Sequence, residues 1–537
     1  MSNTRFDGII IGGGHNGLIT AAYLAKAGVK VAVFESKLTV GGGFATEELS
    51  VPGFKHNTHA IYTKLHESPI HYDLQLDRYG VSYIYPQARH IIVKHDSYFV
   101  QHQDLEATIE SISRFSKKDA AAYRKLAYQW KDWLLDFGLP ELYSAPKPPD
   151  QWEDDLKKMP SGAEYVRLVK DYSPLEFAME TFETALCRDL FLRSTIMSEY
   201  EITTKGIPPF VFCNVACWLA GKTAIVRGGT RVAAEGIARV VQENGGQIFT
   251  GAPVQRIIVE NGTAKGIVLN DGREFRADHF VASSIDPIHT FLYMVGDDKL
   301  PVEVQQKVAG LQFSELALFR VFLSLKERPK FKIAERDPMI NDGLRYGIGF
   351  ERDEDTPRMG EQVRAGRIPD ITGLAAGIFS THDPSQAPPG GCTASLSLLA
   401  PFELADGGAA RWVDVANDLA DKMMDKFREY APNMTDDNVL GRFAYTPVDI
   451  ETYLPSMIQG DICHGKITPE QLGFNRPFAG MSKYRTIIDK LYLCGASAHP
   501  GGFAIGAPGY NAANAIADDL GYMKWWPAFE PRKVVYI

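Results

Sequence analysis

The run Gly12-Gly13-Gly14-His15-Asn16-Gly17 follows an apolar stretch, Phe6 to Ile11. It precedes a small-residue helical stretch, Leu18 to Lys26, closed by Gly28. A second apolar run, Val29 to Phe34, ends on the acid Glu35. Strand, glycine turn, helix, strand and terminal acid at these spacings can bind a dinucleotide. Gly12 permits the tight turn, Gly14 lets backbone N–H groups approach a pyrophosphate, and Gly17 lets the helix pack closely on the strand. The helix N-terminus, carrying His15 and Asn16, then turns its positive end toward the phosphates. Glu35, followed by Ser36, stands where a carboxylate accepts both ribose hydroxyls, which disfavours a 2′-phosphate. Six residues past Glu35 comes Gly41-Gly42-Gly43. NAD does not need this second cluster. A longer ligand does, because backbone must pass close to its pyrophosphate or ribityl chain.

The motif Glu35-x5-Gly41-Gly42 resembles the second motif of the large FAD-dependent family that includes amine oxidases and phytoene desaturases. Near the C-terminus, Leu491 to Ala496 reads as an apolar strand ending in small residues, and His499-Pro500-Gly501-Gly502 and Gly506 to Ala513 follow. These runs resemble the closing FAD motif of the phytoene desaturase-like group. They are similar above all to the branch called pyridine nucleotide-disulfide oxidoreductase domain-containing proteins. Gly460 to Gly465, Gln471 and Arg476-Pro477 resemble that branch as well.

The resemblance implies an α/β fold: a Rossmann-type FAD-binding domain with a second, mixed α+β substrate domain. The FAD-binding domain is discontinuous (1–65, 215–300 and 480–525), the substrate domain takes 66–214 and 301–479, and 526–537 forms a C-terminal tail. FAD is the implied cofactor. It is implied to meet the two glycine runs, Val254 through its backbone at the adenine, and Gly495, Ala496, Gly506, Ala507 and Pro508 at the flavin end. Pro508 suits the first turn of a helix running to Leu520 and stopped by Gly521. The free N–H groups at that helix start carry partial positive charge, placed in the resembled family to stabilise the reduced flavin. His59 and His499 match positions beside the flavin and are the candidates for acid–base work, with plain packing as the alternative for each. His464 and Tyr510 are weaker candidates, and His56 and His66 are expected in solvent. One departure stands out: the family's third glycine after His-Pro-Gly-Gly is Phe503 here. A ring there narrows the cavity and favours a smaller, cyclic molecule over a long polyene.

The elements that position these residues are legible in outline. The region from Asp104 to Tyr200 is mainly helical, with helix starts at Ser116 and at Ser173-Pro174-Leu175-Glu176. Its aromatics (Trp130, Trp133, Phe137, Tyr165, Phe177, Phe182) fill a core or line a substrate cavity. After Arg227-Gly228-Gly229-Thr230-Arg231 come a helix, Val232 to Asn244, and a strand, Gln247 to Phe249. A β-meander from Val254 to Phe275 is punctuated by Asn261-Gly262 and Asp271-Gly272. Residues 300 to 480 alternate strands and helices.

At 537 residues two domains are expected. The net charge of −9 comes without a basic stripe, which argues against nucleic acid as a partner. Six cysteines include no C-x-x-C pair, which argues against a redox disulfide, and Cys213 and Cys217 read as core residues. The short N-terminal lead and the lack of a spanning apolar stretch point to a cytoplasmic, soluble protein, with peripheral membrane contact left open. The oligomeric state is not legible, and no metal site is expected.

A hydrolase or zinc-protease motif is absent. The expected activity is that of an FAD-dependent dehydrogenase or desaturase. It removes hydride from an apolar, small, cyclic molecule to flavin N5, and the flavin is reoxidised by oxygen, a quinone or another acceptor. The alternatives are a flavin-dependent isomerase or saturase, an amine oxidase with Tyr484 and Tyr510 caging the amine, or a non-catalytic FAD-binding interaction protein.

Overall fold

The computed structural model describes residues 4–206 and 221–534. Cys213, Cys217 and the expected domain boundary at 214/215 lie outside the described residues. β1 (Arg5–Ile11), α1 (His15–Lys26) and β2 (Val31–Phe34) form the opening unit. Every β2 side chain is buried, as an apolar run without alternation requires when both faces of a parallel sheet are covered. β1 pairs in parallel with β2, placing Ile11 opposite Phe34, and on its other edge with the strand Glu274–Ser283. The meander strands Val254–Glu260 and Thr263–Leu269 extend that edge, and Gln247–Phe249 lies beyond β2. The short strand Leu491–Leu493 joins this seven-stranded sheet alongside Glu274–Ser283.

A second seven-stranded sheet runs in the order Val439–Tyr445, Ala317–Leu325, Cys392–Ala400, Gly373–Gly377, Gly343–Gly349, Ala88–Val93, Tyr98–His102. It is antiparallel except where Gly343–Gly349 meets Ala88–Val93. Its strands thus come from two stretches of chain, with the helical region between them. The aromatics of that helical region (Trp130, Trp133, Phe137, Tyr165, Phe177 and Phe182) are all buried in the core. Ser173 and Glu176 complete a reciprocal cap. Ser116 caps only one way, because the Asp119 carboxylate turns instead to the backbone N–H groups of Glu183 and Thr184.

The closing helix, Ala507–Leu520, starts at Gly506 and stops at Gly521, both left-handed. It packs on α1 so tightly that a Cβ at Gly509 would lie 2.3 Å from the Asn16 carbonyl oxygen. Beyond it the tail folds back: Trp525 Nε1 donates to the Tyr23 carbonyl and Trp526 Nε1 to Asn514 Oδ1. Among the described residues no helix is long and apolar enough to cross a membrane, and the four described cysteines are buried and free.

His56 and His66 are not in solvent; both are buried. His56 sits in a two-residue strand that brings the first glycine-rich region against the second sheet, where its ring meets Phe322 and its Nε2 approaches Ser324 Oγ at 3.5 Å. Burial lowers its pKa to about 4, against about 6.5 in an unfolded chain. Between those values the unfolded chain binds a proton that the folded one does not, so stability rises with pH. The contribution of His56 is complete above about pH 6.5 and declines as pH falls toward 4. Denaturant midpoints should therefore drop across that window, and His56→Gln should flatten the slope. An unchanged slope in the variant would remove His56 as a contributor.

Candidate active site: one cavity between two sheets

The two glycine runs meet. Gly14 and Gly41 form a parallel bridge, Gly41 N–H donates to the Gly13 carbonyl (2.8 Å) and His15 N–H to the Gly41 carbonyl (3.2 Å). A Cβ at Gly17 would lie 2.2 Å from the Gly12 oxygen, and one at Gly42 would lie 3.0 Å from the Gly14 Cα. Packing alone therefore demands glycine at 17 and 42. It does not at Gly14 and Gly43, where a Cβ would meet nothing nearer than 3.9 and 3.7 Å. Both of these residues face a cavity of about 620 Å³.

Gly12, Gly14, His15, Asn16, Glu35, Ser36, Gly42 and Gly43 line one end of that cavity, and Val254 lies beside them with Asn270. The Glu35 carboxylate is fixed by three donors: Gly13 N–H (2.8 Å), Lys37 N–H (2.9 Å) and Ser36 Oγ (3.2 Å). α1 starts at Gly14 with no side-chain cap and no acid in its first turn, which leaves its positive end open to an anion. His15 stacks on Phe44 at 4.2 Å, and its Nε2 is buried without a protein partner among the described residues. Burial lowers its pKa to about 3, so the imidazole is neutral and keeps one N–H to donate. An uncapped helix end, an oriented carboxylate, an orphan ring nitrogen and two glycines whose missing side chains open the wall fit a pyrophosphate-bridged cofactor.

The flavin-end residues divide. Ala496 reaches the cavity together with Ser284. Gly495 lies behind it, where a Cβ would stand 2.3 Å from the Ser284 carbonyl. Gly506, Ala507 and Pro508 lie outside the lining; Ala504 and Ile505, just before them, form it. His59 lines the cavity, with Nδ1 2.9 Å from Thr58 Oγ1 and Nε2 3.4 Å from Tyr445 Oη. Burial, reinforced by Arg320, Lys37 and His464, holds its pKa far below the usual value. It is a neutral ring between two hydroxyls. His499 is not brought to the cavity: its Nε2 lies 3.2 Å from the Glu141 carbonyl, and the His499 carbonyl accepts from the Tyr484 hydroxyl. Its expected acid–base role thus loses its geometric basis. Tyr484 and Tyr510 form no cage either, since Tyr510 packs edge-on to Tyr23 inside the core.

The far end of the cavity is made by the second sheet and its surroundings: Ile61, Tyr62, Leu318, Ala375, Ala376 and Ile462, with Phe503 beside them. Phe503 keeps the left-handed backbone of a glycine position (φ 63°). Leu139, Leu142, Tyr143, Met197 and Ser198, rather than the six aromatics named from sequence, represent the helical region here. Sequence reasoning passed over Lys37, Arg320, Arg345 and Cys463, all in the lining. For Arg320 a signal existed: it is a lone charge in Ala317–Leu325, a run of nine residues that is otherwise almost wholly apolar.

Residues 17–391 match the family of flavin containing amine oxidoreductases. A subunit of the limonene dehydrogenase of Castellaniella defragrans is 32% identical, over 98% of this chain and 97% of its own. Pyridine nucleotide-disulfide oxidoreductase domain-containing protein 2 of Mus musculus is 29% identical, over 96% and 94%. Among solved structures, a putrescine oxidase variant superposes with a TM-score of 0.63 at 13% identity, over 97% of this chain and 100% of its own. FAD is the cofactor these matches support.

Gly14 has an extended backbone (φ −65°, ψ 163°) that alanine also adopts, and a Cβ there would meet protein only at ordinary contact distance, 3.9 Å from the Gly42 Cα. Gly14→Ala should leave the denaturation midpoint of the FAD-free protein within about 0.5 kcal/mol of wild type. It should weaken FAD retention by about tenfold or more, read from flavin absorbance after gel filtration. Full retention of FAD would show that this wall is not cofactor-facing.

Proposed function

The chain belongs to the flavin containing amine oxidoreductase family, and from that premise we propose that this FAD-dependent oxidoreductase is a dehydrogenase of a small molecule with an apolar, cyclic skeleton. The observation that carries this reading is the cavity that runs from the glycine bridge and Glu35 to an aliphatic wall on the second sheet. The relative from limonene dehydrogenase supports dehydrogenation as the reaction type. FAD, when bound, supplies the two-electron acceptor for C–H oxidation. The protein's part is to hold a carbon skeleton against Leu318, Ala375 and Ile462, and to exclude water. Neutral His59 lies at the cavity wall as a fixed hydrogen-bonding partner rather than as a store of positive charge. Oxygen or a quinone as final acceptor belongs to the same proposal.

Amine oxidation has less support. Tyr484 and Tyr510, the pair expected to cage an amine, lie outside the cavity lining, and the likeness to putrescine oxidase at 13% identity speaks for the fold alone.

Mixing the yellow holoenzyme with its substrate in the absence of oxygen should bleach the 450-nm flavin band (about one equivalent per site for a two-electron oxidation). Turnover that requires no acceptor and leaves the band intact would replace the dehydrogenase reading with an isomerase.

Phe503→Gly removes a ring from the lining without straining the left-handed backbone. It should raise kcat/KM for substrates one ring or one isoprene unit larger by about tenfold, in line with the worth of added apolar contact. An unaltered size preference on a panel of cyclic hydrocarbons would exclude Phe503 as the limit.

A further inference from the structure

Arg320 is a buried cation in the far wall of the cavity. It lies on the all-buried strand Ala317–Leu325, with Ser397 and Tyr445 as its register partners. Its Nη1 donates to the carbonyls of Thr58 (2.8 Å) and His59 (3.3 Å). Its Nε is buried without a hydrogen-bond partner among the described residues. Arg345 lines the same cavity, its guanidinium 5.3 Å from the Tyr62 ring, and Ser395 and Ser397 face the cavity between the two strands.

The carboxylates of the lining are committed elsewhere. Glu35 is held by Gly13 and Lys37 at the opposite end. Glu67 pairs with Lys64 at 3.0 Å and accepts from Lys222 N–H. Glu199 is the acid outside the lining that acts on Arg320. Burial and the adjacent Asp461 push its carboxyl well above the usual range, toward the uncharged form. Residues 207–220 contain no Asp or Glu. A buried guanidinium whose acceptors among the described residues are two carbonyls is strongly disfavoured unless a counter-charge arrives. The planar fork of an arginine is matched by a carboxylate, which also accepts from a serine hydroxyl.

We propose that the substrate carries a carboxylate on its apolar skeleton, and that Arg320 and Ser397 bind it in the wall formed by the second sheet. The inference rests on the reading of this end of the cavity as the substrate lobe. It makes Arg320 a specificity-determining residue, placed to present the opposite end of the skeleton toward the glycine bridge.

The test titrates the FAD-loaded enzyme with cyclohexanecarboxylate and with its neutral isostere cyclohexanecarboxamide, read by the flavin difference spectrum. The carboxylate should bind about tenfold tighter or more, the scale of a charge-assisted hydrogen-bond pair. Arg320→Met should abolish that preference while keeping FAD and the carboxamide affinity. Should Arg320→Met fail to fold, Ser397→Val carries the test, with a preference cut about threefold or more. Equal binding of both probes, no response to either, an unchanged preference in the foldable variant, or loss of FAD on changing Arg320 would each overturn the proposal. Loss of FAD would assign the guanidinium to the cofactor. A purified wild-type protein that takes up no FAD would instead overturn the dehydrogenase reading itself, which separates the two failures.

Discussion

The contact between the two glycine runs is the constraint on which the remaining structure depends. With backbone joined to backbone at Gly14 and Gly41, and the Glu35 carboxylate tied to Gly13 N–H at 2.8 Å, no side chain can intervene between α1 and the loop after β2. The closing helix then docks on α1 through Gly509, hundreds of residues away in sequence, again by approach to bare backbone. Close approach of this kind is possible only where Cβ is missing, and it fixes positions more narrowly than apolar packing does. The cofactor end of the cavity is therefore preformed.

Electrostatics sets the character of the interior. Burial pushes His15, His56, His59 and His499 toward the neutral form, because desolvation penalises the charged imidazole. Arginine does not yield in the same way: even when burial lowers Arg320 to about 10, it stays cationic. The interior thus sorts its basic groups. The histidines become neutral hydrogen-bonding parts, while the guanidinium keeps its charge. The same desolvation that silences a catalytic histidine strengthens whatever interaction the arginine makes with a ligand, since a low local dielectric magnifies both effects.

Legibility in the sequence followed the range of the forces involved. The opening strand–turn–helix–strand unit, the meander and the Gly506–Gly521 helix were readable because glycine spacing and apolar runs act locally. The fold class and cofactor followed from motifs at both ends of the chain. The burial of His56 and His66 was not readable, because it depends on which distant strand covers them: Phe322 and Ser324 lie more than 250 residues beyond His56. His499 illustrates the converse. It stands in the most specific motif of the chain, yet its ring is taken by the carbonyl of Glu141, a partner in the helical region that no local pattern announces.

Arg320 lay between these cases. A charge inside a strand that is otherwise apolar is visible without any structure, and its burial can be inferred from the residues on either side. What the sequence withholds is the list of partners, and with it the meaning of the charge. A buried arginine paired to an internal acid would be a structural device, and substituting both partners by apolar groups of similar volume would cost little. One whose bonded acceptors are carbonyls, in a cavity wall, keeps an unspent part of its electrostatic field pointing into the space a ligand occupies. Only the register of the second sheet separates these possibilities, because it sets Ser397 and Tyr445, rather than an acid, across from Arg320.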